Sequence, residues 1–213
     1  MNFPPFLASL ENDTSVLIRE VTQDDCDLLE IGFEHLSVRA SYFRFLGAHK
    51  NLSEKELDKF TATNGPDHVA VGAVMICTAD PEPIGIARYI RLPDQQRVAE
   101  IAITITDSYQ HQGLGRLLLN VLAKFAQEGG ITEFKALVHS QNTAMLGLLS
   151  HFDGIKTSLG GEETNVRFPV SPDPDQPAES SWLKNLKIKG PNQPASVWED
   201  DGGAILKMFA GKQ

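Results

Sequence analysis

The chemistry-bearing stretch of this sequence is Ala99-Glu100-Ile101-Ala102-Ile103-Thr104-Ile105-Thr106-Asp107-Ser108-Tyr109-Gln110-His111-Gln112-Gly113-Leu114-Gly115-Arg116. A strand runs into a glycine-bearing loop, and the loop opens directly into a long amphipathic helix. Such a junction gathers unpaired backbone N–H groups at the positive end of a helix dipole, and glycines remove the side chains that hold a phosphate away. An anionic ligand is implied. Spacing narrows which one: no G-x-x-x-x-G-K-[ST] string follows an expected strand, and the dinucleotide fingerprint G-x-G-x-x-G fails because Leu118 stands three residues after Gly115. The pattern left is Gln110-x-x-Gly113-x-Gly115.

Other chemistries find little support. Cys26 and Cys77 lie far apart in apolar stretches without a C-x-x-C spacing, which reads as reduced, buried thiols of a cytoplasmic protein. The six histidines (His35, His49, His68, His111, His139, His151) show no metal-ligand spacing, and there is neither a G-x-S-x-G elbow nor an H-E-x-x-H helix. No metal is expected.

The elements that must position the loop follow from the hydrophobic pattern. Val16 to Glu20 reads as a first strand, and Thr22 with Asp25 opens a helix through Leu36. A helix over Glu54 to Ala62 starts on the better capping box Ser53/Glu56. Between them, Ser41-Tyr42-Phe43-Arg44-Phe45-Leu46 reads as packing with Arg44 exposed. Three strands follow, Val69 to Cys77, Ile84 to Leu92 and Ala99 to Thr106, forming an antiparallel meander. Apolar residues Leu114, Leu117, Leu118, Val121, Leu122 and Phe125 sit at helical spacing as far as Gly129-Gly130, with a strand over Phe134 to Val138 and a helix over Asn142 to Phe152 beyond. That order implies a mixed α/β sheet in which a parallel pair flanks the helix starting near Gly113.

At 213 residues with 41% hydrophobic residues the chain can bury one core, and residues 1–170 are expected to form that domain. Five of twelve prolines fall in residues 171–213, which reads as a linker and an appended segment. Trp182, Trp198 and Ala204-Ile205-Leu206 would form a small hairpin there, packed on the core. The net charge of −9 opposes nucleic-acid binding, and −8 of it belongs to residues 1–170, a balance that favours a cationic small molecule or side chain. No apolar run of about 18 residues and no basic region ahead of an apolar stretch suggests a membrane span or export signal.

The Gln110-x-x-Gly113-x-Gly115 pattern between a strand and a helix resembles the GNAT superfamily of acyl-CoA-dependent N-acetyltransferases. The likeness extends over Val16 to Val170. Ile18-Arg19-x-Val21, Ser41-Tyr42-Phe43-Arg44-Phe45, Gly85-Ile86-Ala87-Arg88-Tyr89, Ala99-Glu100-Ile101-Ala102 and Asn142-x-x-Met145-Leu146 are similar to bacterial protein-lysine acetyltransferase catalytic domains. Some members carry a nucleotide-sensing or acyl-CoA-synthetase-like domain. This chain is too short for either, so a stand-alone enzyme is expected.

The resemblance implies a mostly antiparallel sheet with one splayed parallel pair and acetyl-CoA as co-substrate. It lays the acetyl and pantetheine groups along Ile103, Thr104 and Ile105. The pyrophosphate falls on the amides of His111, Gln112, Gly113, Leu114, Gly115 and Arg116 behind Gln110. Asn142 matches a cofactor-contacting residue at a helix start, though an N-cap role serves it equally. Glu100 matches the catalytic Glu, a general base for an amine that is protonated at neutral pH; burial beside the neighbouring strands would raise its pKa, whereas Arg88 or Arg97 could simply pair with it. The family's frequent tyrosine acid falls at Leu149, leaving Ser140, Ser150, Tyr109 or solvent to protonate the thiolate. Phe152-Asp153-Gly154-Ile155 also departs from the family's usual Leu-Gly-Phe. The expected acceptor is a primary amine, a protein lysine first and a polyamine or aminoglycoside-like amine second; an acyl-CoA-binding regulatory module without activity is the reading from another class.

Overall fold

The computed structural model describes residues 3–62, 65–75 and 81–171. Cys77 and the proposed linker and hairpin of the C-terminal segment lie outside the described residues.

The apolar, β-branched runs form β1 (Phe6–Ser9), β2 (Ser15–Glu20), β3 (His68–Met75), β4 (Glu82–Leu92) and β5 (Gln95–Ile105), with β3 buried on both faces over His68 to Val74. β6 (Glu133–His139), β7 (Ile155–Ser158) and β8 (Glu163–Pro169) complete one eight-stranded sheet in the order β1-β2-β3-β4-β5-β6-β8-β7. Every neighbouring pair is antiparallel except β5 and β6. The short β1 and the β7–β8 hairpin extend the sheet beyond the expected strands.

The helix α4 (Leu114–Glu128) crosses from β5 to β6 and packs against β3, β4 and β5. Its predicted apolar stripe is the buried one: Leu114, Leu118, Val121, Leu122 and Phe125 are at most 1% exposed. Each such side chain contributes about 1.5–3 kcal/mol of burial. Arg91 of β4 donates from Nη2 to Gly129 O at 2.7 Å, a cation on the carbonyl end of α4 where the dipole favours it.

The other face carries α1 (Cys26–Glu34), α2 (Val38–Phe45) and α3 (Glu54–Thr61). Thr22/Asp25 and Ser53/Glu56 form the capping boxes read from the sequence, the first through a short 3-10 turn. Asp25 also receives Arg19 through both oxygens at 2.5 and 2.8 Å, which pins the first helix to β2. The aromatic-basic stretch is helical, with Ser37 as N-cap to Ala40 N–H at 3.1 Å. Arg44 is partly buried instead of exposed, because α2 turns that side chain onto the rings of Phe45 and Phe60, 5.1 and 5.6 Å from its guanidinium carbon.

Candidate active site

The parallel ladder between β5 and β6 is short, pairing only Val98, Ala99 and Glu100 with Glu133, Phe134 and Lys135. Beyond Glu100, β5 stays with β4 while β6 stays with β8, so the two strands part and open a wedge. Thr106 N–H donates to Ile84 O at 3.1 Å. Alternate residues of an antiparallel strand turn their backbone groups to opposite edges, so those of Ile103 and Ile105 face the wedge. Gln110 closes part of it, donating from Nε2 to Ile105 O at 3.1 Å. The wedge leads into a cleft of about 760 Å³, lined by Ile101 to Ile105, by the loop, and by α5 (Thr143–Ser150).

Two left-handed residues shape the loop, His111 at φ 58° and Gly113 at φ 81°. Gly113 is the N-cap of α4, and the helix's own ladder begins with Leu117 N–H to Gly113 O at 3.0 Å. It does not reach the amides of Leu114 and Gly115. A Cβ on Gly113 would stand 3.0–3.3 Å from the side chain of Glu11, which comes from the turn between β1 and β2. Gly115 has a different reason to be glycine: a Cβ there would meet Leu148 Cδ2 at 3.1 Å and Ile105 Cδ1 at 3.3 Å, so it lets α5 and β5 close on the helix start. Gln112 and Leu114, also expected at the site, do not line the cleft. The Gln112 side chain joins Ser108 O and Asn12 at 2.8 Å each, and Leu114 is core.

Asn142 caps α5, accepting from Met145 N–H at 3.1 Å, and also lines the cleft. The turn before it is held by buried His139, whose Nδ1 accepts from Gln141 N–H at 3.1 Å while Nε2 lies 3.2 Å from Glu162. Leu149 is fully buried. Of the residues considered in place of the tyrosine acid, Ser150 donates to Gly147 O at 2.6 Å and none lines the cleft. Burial and the Glu82 carboxylate beside it push the Tyr109 hydroxyl above its usual range.

Glu100 is the last residue of β5 to pair with β6 and so stands at the fork of the wedge. The burial expected of it is not there: it is exposed, because its side chain is on the α1–α3 face, where no strand covers it. It is not ion-paired to Arg88 or Arg97 among the described residues; instead Arg44 and Arg88 both act on it through space. Burial lowers the pKa of Arg44 to about 10 and, with Arg44 beside it, that of Arg88 to about 9, so both are cations at neutral pH. Arg88 lies 4.1 Å over the ring of Phe60.

The structure thus brings Ile103, Thr104, Ile105, Gln110, His111, Gly113, Gly115, Arg116 and Asn142 to one cleft and sets Glu100 just before its first residue, Ile101. Arg44 and Glu11 border it without having been singled out as site residues; the one available signal was a lone arginine inside an aromatic run. Among the described residues no group of three His, Cys, Asp or Glu side chains could hold a metal ion, and no helix is long and apolar enough to cross a membrane.

The acetyltransferase (GNAT) family model matches residues 36–153, more than half of the chain. The chain belongs to the GNAT acetyltransferase family. It is an acyl-CoA-dependent acetyltransferase. An acetyltransferase of Pseudomonas aeruginosa is 29% identical over 143 residues, 67% of this chain and 76% of that protein. The acetyltransferase Pat of Mycolicibacterium smegmatis is 32% identical over 88 residues, 40% of this chain but only 26% of its own length. Among solved structures, the GNAT domain of S. lividans PAT superposes with a TM-score of 0.70 at 26% identity, covering 78% of this chain and 96% of that one. A putative acetyltransferase from Salmonella typhimurium, solved with acetyl-CoA, shares the fold at a TM-score of 0.55 and 17% identity over 75% of this chain and 98% of its own.

Proposed function

We propose that this GNAT enzyme transfers an acetyl group from acetyl-CoA directly to a primary amine, with Glu100 as general base. The observation that carries the reading is the wedge: strand groups of Ile103 and Ile105 and helix-start amides open to one cleft, with a carboxylate at its fork. The cleft size suits a cofactor-sized ligand, since such sites span ~300–1,000 Å³. The amides of His111 to Arg116 and the α4 dipole receive the pyrophosphate, and the unpaired groups of Ile103 and Ile105 receive the pantetheine amides. Thr104 shares that strand segment, and Asn142 and Gln110 border the same path.

An alkylamine with a pKa of about 10.4 arrives protonated, and only its free base attacks. Glu100 accepts the proton directly or through one water. The amine nitrogen then bonds to the thioester carbonyl carbon as the carbon–sulfur bond breaks; the nitrogen gives its surplus proton to solvent as the amide forms, the thiolate takes one from solvent, and Glu100 releases its proton to solvent. A thiol pKa near ~8.5 makes sulfur a tolerable leaving group without a dedicated acid. No covalent enzyme intermediate enters, because holding both reactants in place supplies much of the acceleration.

The acceptor proposed is a protein lysine, supported by the motif resemblance to bacterial protein-lysine acetyltransferase domains and by the similarity to Pat, and the working compartment is the cytoplasm. A small amine is the second reading, favoured by one observation: a cavity of about 90 Å³ under α1–α3 that adjoins the cleft. Mass-spectrometric comparison of a lysate acetylome with and without enzyme and acetyl-CoA tests the choice. New acetyl-lysines support the first reading; an unchanged acetylome beside turnover of a small amine overturns it.

A further inference from the structure

The cavity under α1–α3 is about 90 Å³, several times the ~10–15 Å³ that one water needs. Its walls are mostly apolar, yet Arg44 and Arg88 both line it, as does the Arg19–Asp25 ion pair, whose charges are matched to each other. Neither guanidinium makes a hydrogen bond or ion pair with another described residue, and Arg88 Nη1 is buried with no partner at all. A guanidinium carries five N–H donors in a planar fork matched to a carboxylate. Two such groups over the same Phe60 ring, in a mostly apolar cavity, repel each other unless an anion lies between them. Glu100 supplies one negative charge through space and contacts neither.

The position of the cavity says where that anion belongs. Arg44, Ala102 and Thr104 line both this cavity and the large cleft, so the two meet on β5, two residues past Glu100. The cavity lies on the face of the sheet that carries the Glu100 side chain, opposite α4. That is the side from which an amine must reach the base.

We infer that this cavity is a carboxylate subsite for the acceptor: Arg44 and Arg88 hold a carboxylate on the same molecule as the amine that Glu100 deprotonates. The inference rests on the transfer reading above and names the acceptor class as an amino carboxylate. One chemistry has two sources, a free amino acid or an acidic side chain beside a lysine in a peptide.

Matched acceptors test it with the full-length enzyme: 5-aminopentanoate against pentylamine, and a Lys-Glu peptide against Lys-Gln, each followed by thiol release from acetyl-CoA. The wild type is expected to favour the carboxylate partner of at least one pair by about tenfold to a hundredfold in kcat/KM, the scale of hydrogen bonds to a charged group. The ratio falls to about one in Arg88→Gln and in Arg44→Gln, and partly recovers in Arg88→Lys. A preference confined to free amines assigns the small-molecule source; one confined to peptides assigns the protein source. Ratios near one for both pairs in the wild type, or a preference that survives both glutamine variants, overturn the inference. If no amine is turned over, the transfer reading fails, and thermal unfolding decides the subsite separately. A rise in Tm with 5-aminopentanoate, absent with pentylamine and lost in Arg88→Gln, upholds it, and no rise overturns it. Unchanged circular dichroism and acetyl-CoA binding show that the variants are folded.

Discussion

Replacing Gly113 by alanine separates a glycine that forms the anion cradle from one that merely ends a loop. Gly113 sits at φ 81°, where an L-residue costs about 1–2 kcal/mol. The new Cβ also meets Glu11 at 3.0–3.3 Å, a flexible side chain that can swing away but only across the loop it borders. The strain lowers stability by about 1–2 kcal/mol, a Tm drop of roughly 2–8 °C for a chain of this size. Because the same backbone presents the helix-start amides, acetyl-CoA affinity measured by calorimetry falls by about tenfold. Glu11→Ala has the opposite sign: it removes a carboxylate beside the anion site and tightens acetyl-CoA by about threefold, more at low ionic strength. In the double variant the steric part is recovered and the φ strain is not, so stability returns only in part. Gly113→Ala with wild-type Tm and wild-type affinity would refute the reasoning.

Three further outcomes follow from the same geometry. Asn142→Ala loses the cap to Met145 and lowers stability by about 1 kcal/mol, while Asn142→Asp keeps the cap; if Asn142 also faces the cofactor, Asp weakens acetyl-CoA binding with Tm preserved. Leu149→Tyr does not install the missing acid, since the site is fully buried core; it costs about 1–3 kcal/mol in urea unfolding with no gain in kcat. Asp25 is desolvated, which by itself raises its pKa, but hydrogen bonds from Arg19 and Thr22 outweigh this and leave it lowered. A lowered carboxylate adds stability that is present above the ordinary aspartate range and lost as pH falls through its folded pKa, so Asp25→Asn is destabilising at pH 7 and progressively less so below about pH 4 in urea titrations.

The central layers of the fold were legible because their patterns are strong: α4 repeats at helical spacing, the meander strands are apolar runs bounded by turn residues, and two capping boxes mark helix starts. What escaped was short or irregular. β1 spans four residues, and β7 is exposed throughout, so neither carries a pattern to read. In the site, the backbone geometry of the loop was readable and the side-chain environment was not. The loop announces itself through Gly113 and Gly115, whereas the exposure of Glu100 depends on how far the helices α1–α3 cover its face of β5, a tertiary matter. Arg44 looked like a surface cation because helix α2 was not recognised, and only its helical turn brings it onto Phe60 beside Arg88. The acidity of the chain points to a cationic acceptor; these two arginines add a local requirement of opposite sign at one end of it.

The central claim is that Glu100 deprotonates the acceptor amine at the fork of an acetyl-CoA cleft, and steady-state kinetics of Glu100→Gln across pH test it most directly. With acetyl-CoA affinity within twofold of wild type, kcat at pH 7 is expected to fall by about 10²–10⁴-fold. The deficit shrinks as pH rises toward the amine pKa of about 10.4, where the free base arrives unaided. Wild-type turnover in Glu100→Gln at pH 7, or a loss of activity matched by an equal loss of acetyl-CoA affinity, would contradict the account.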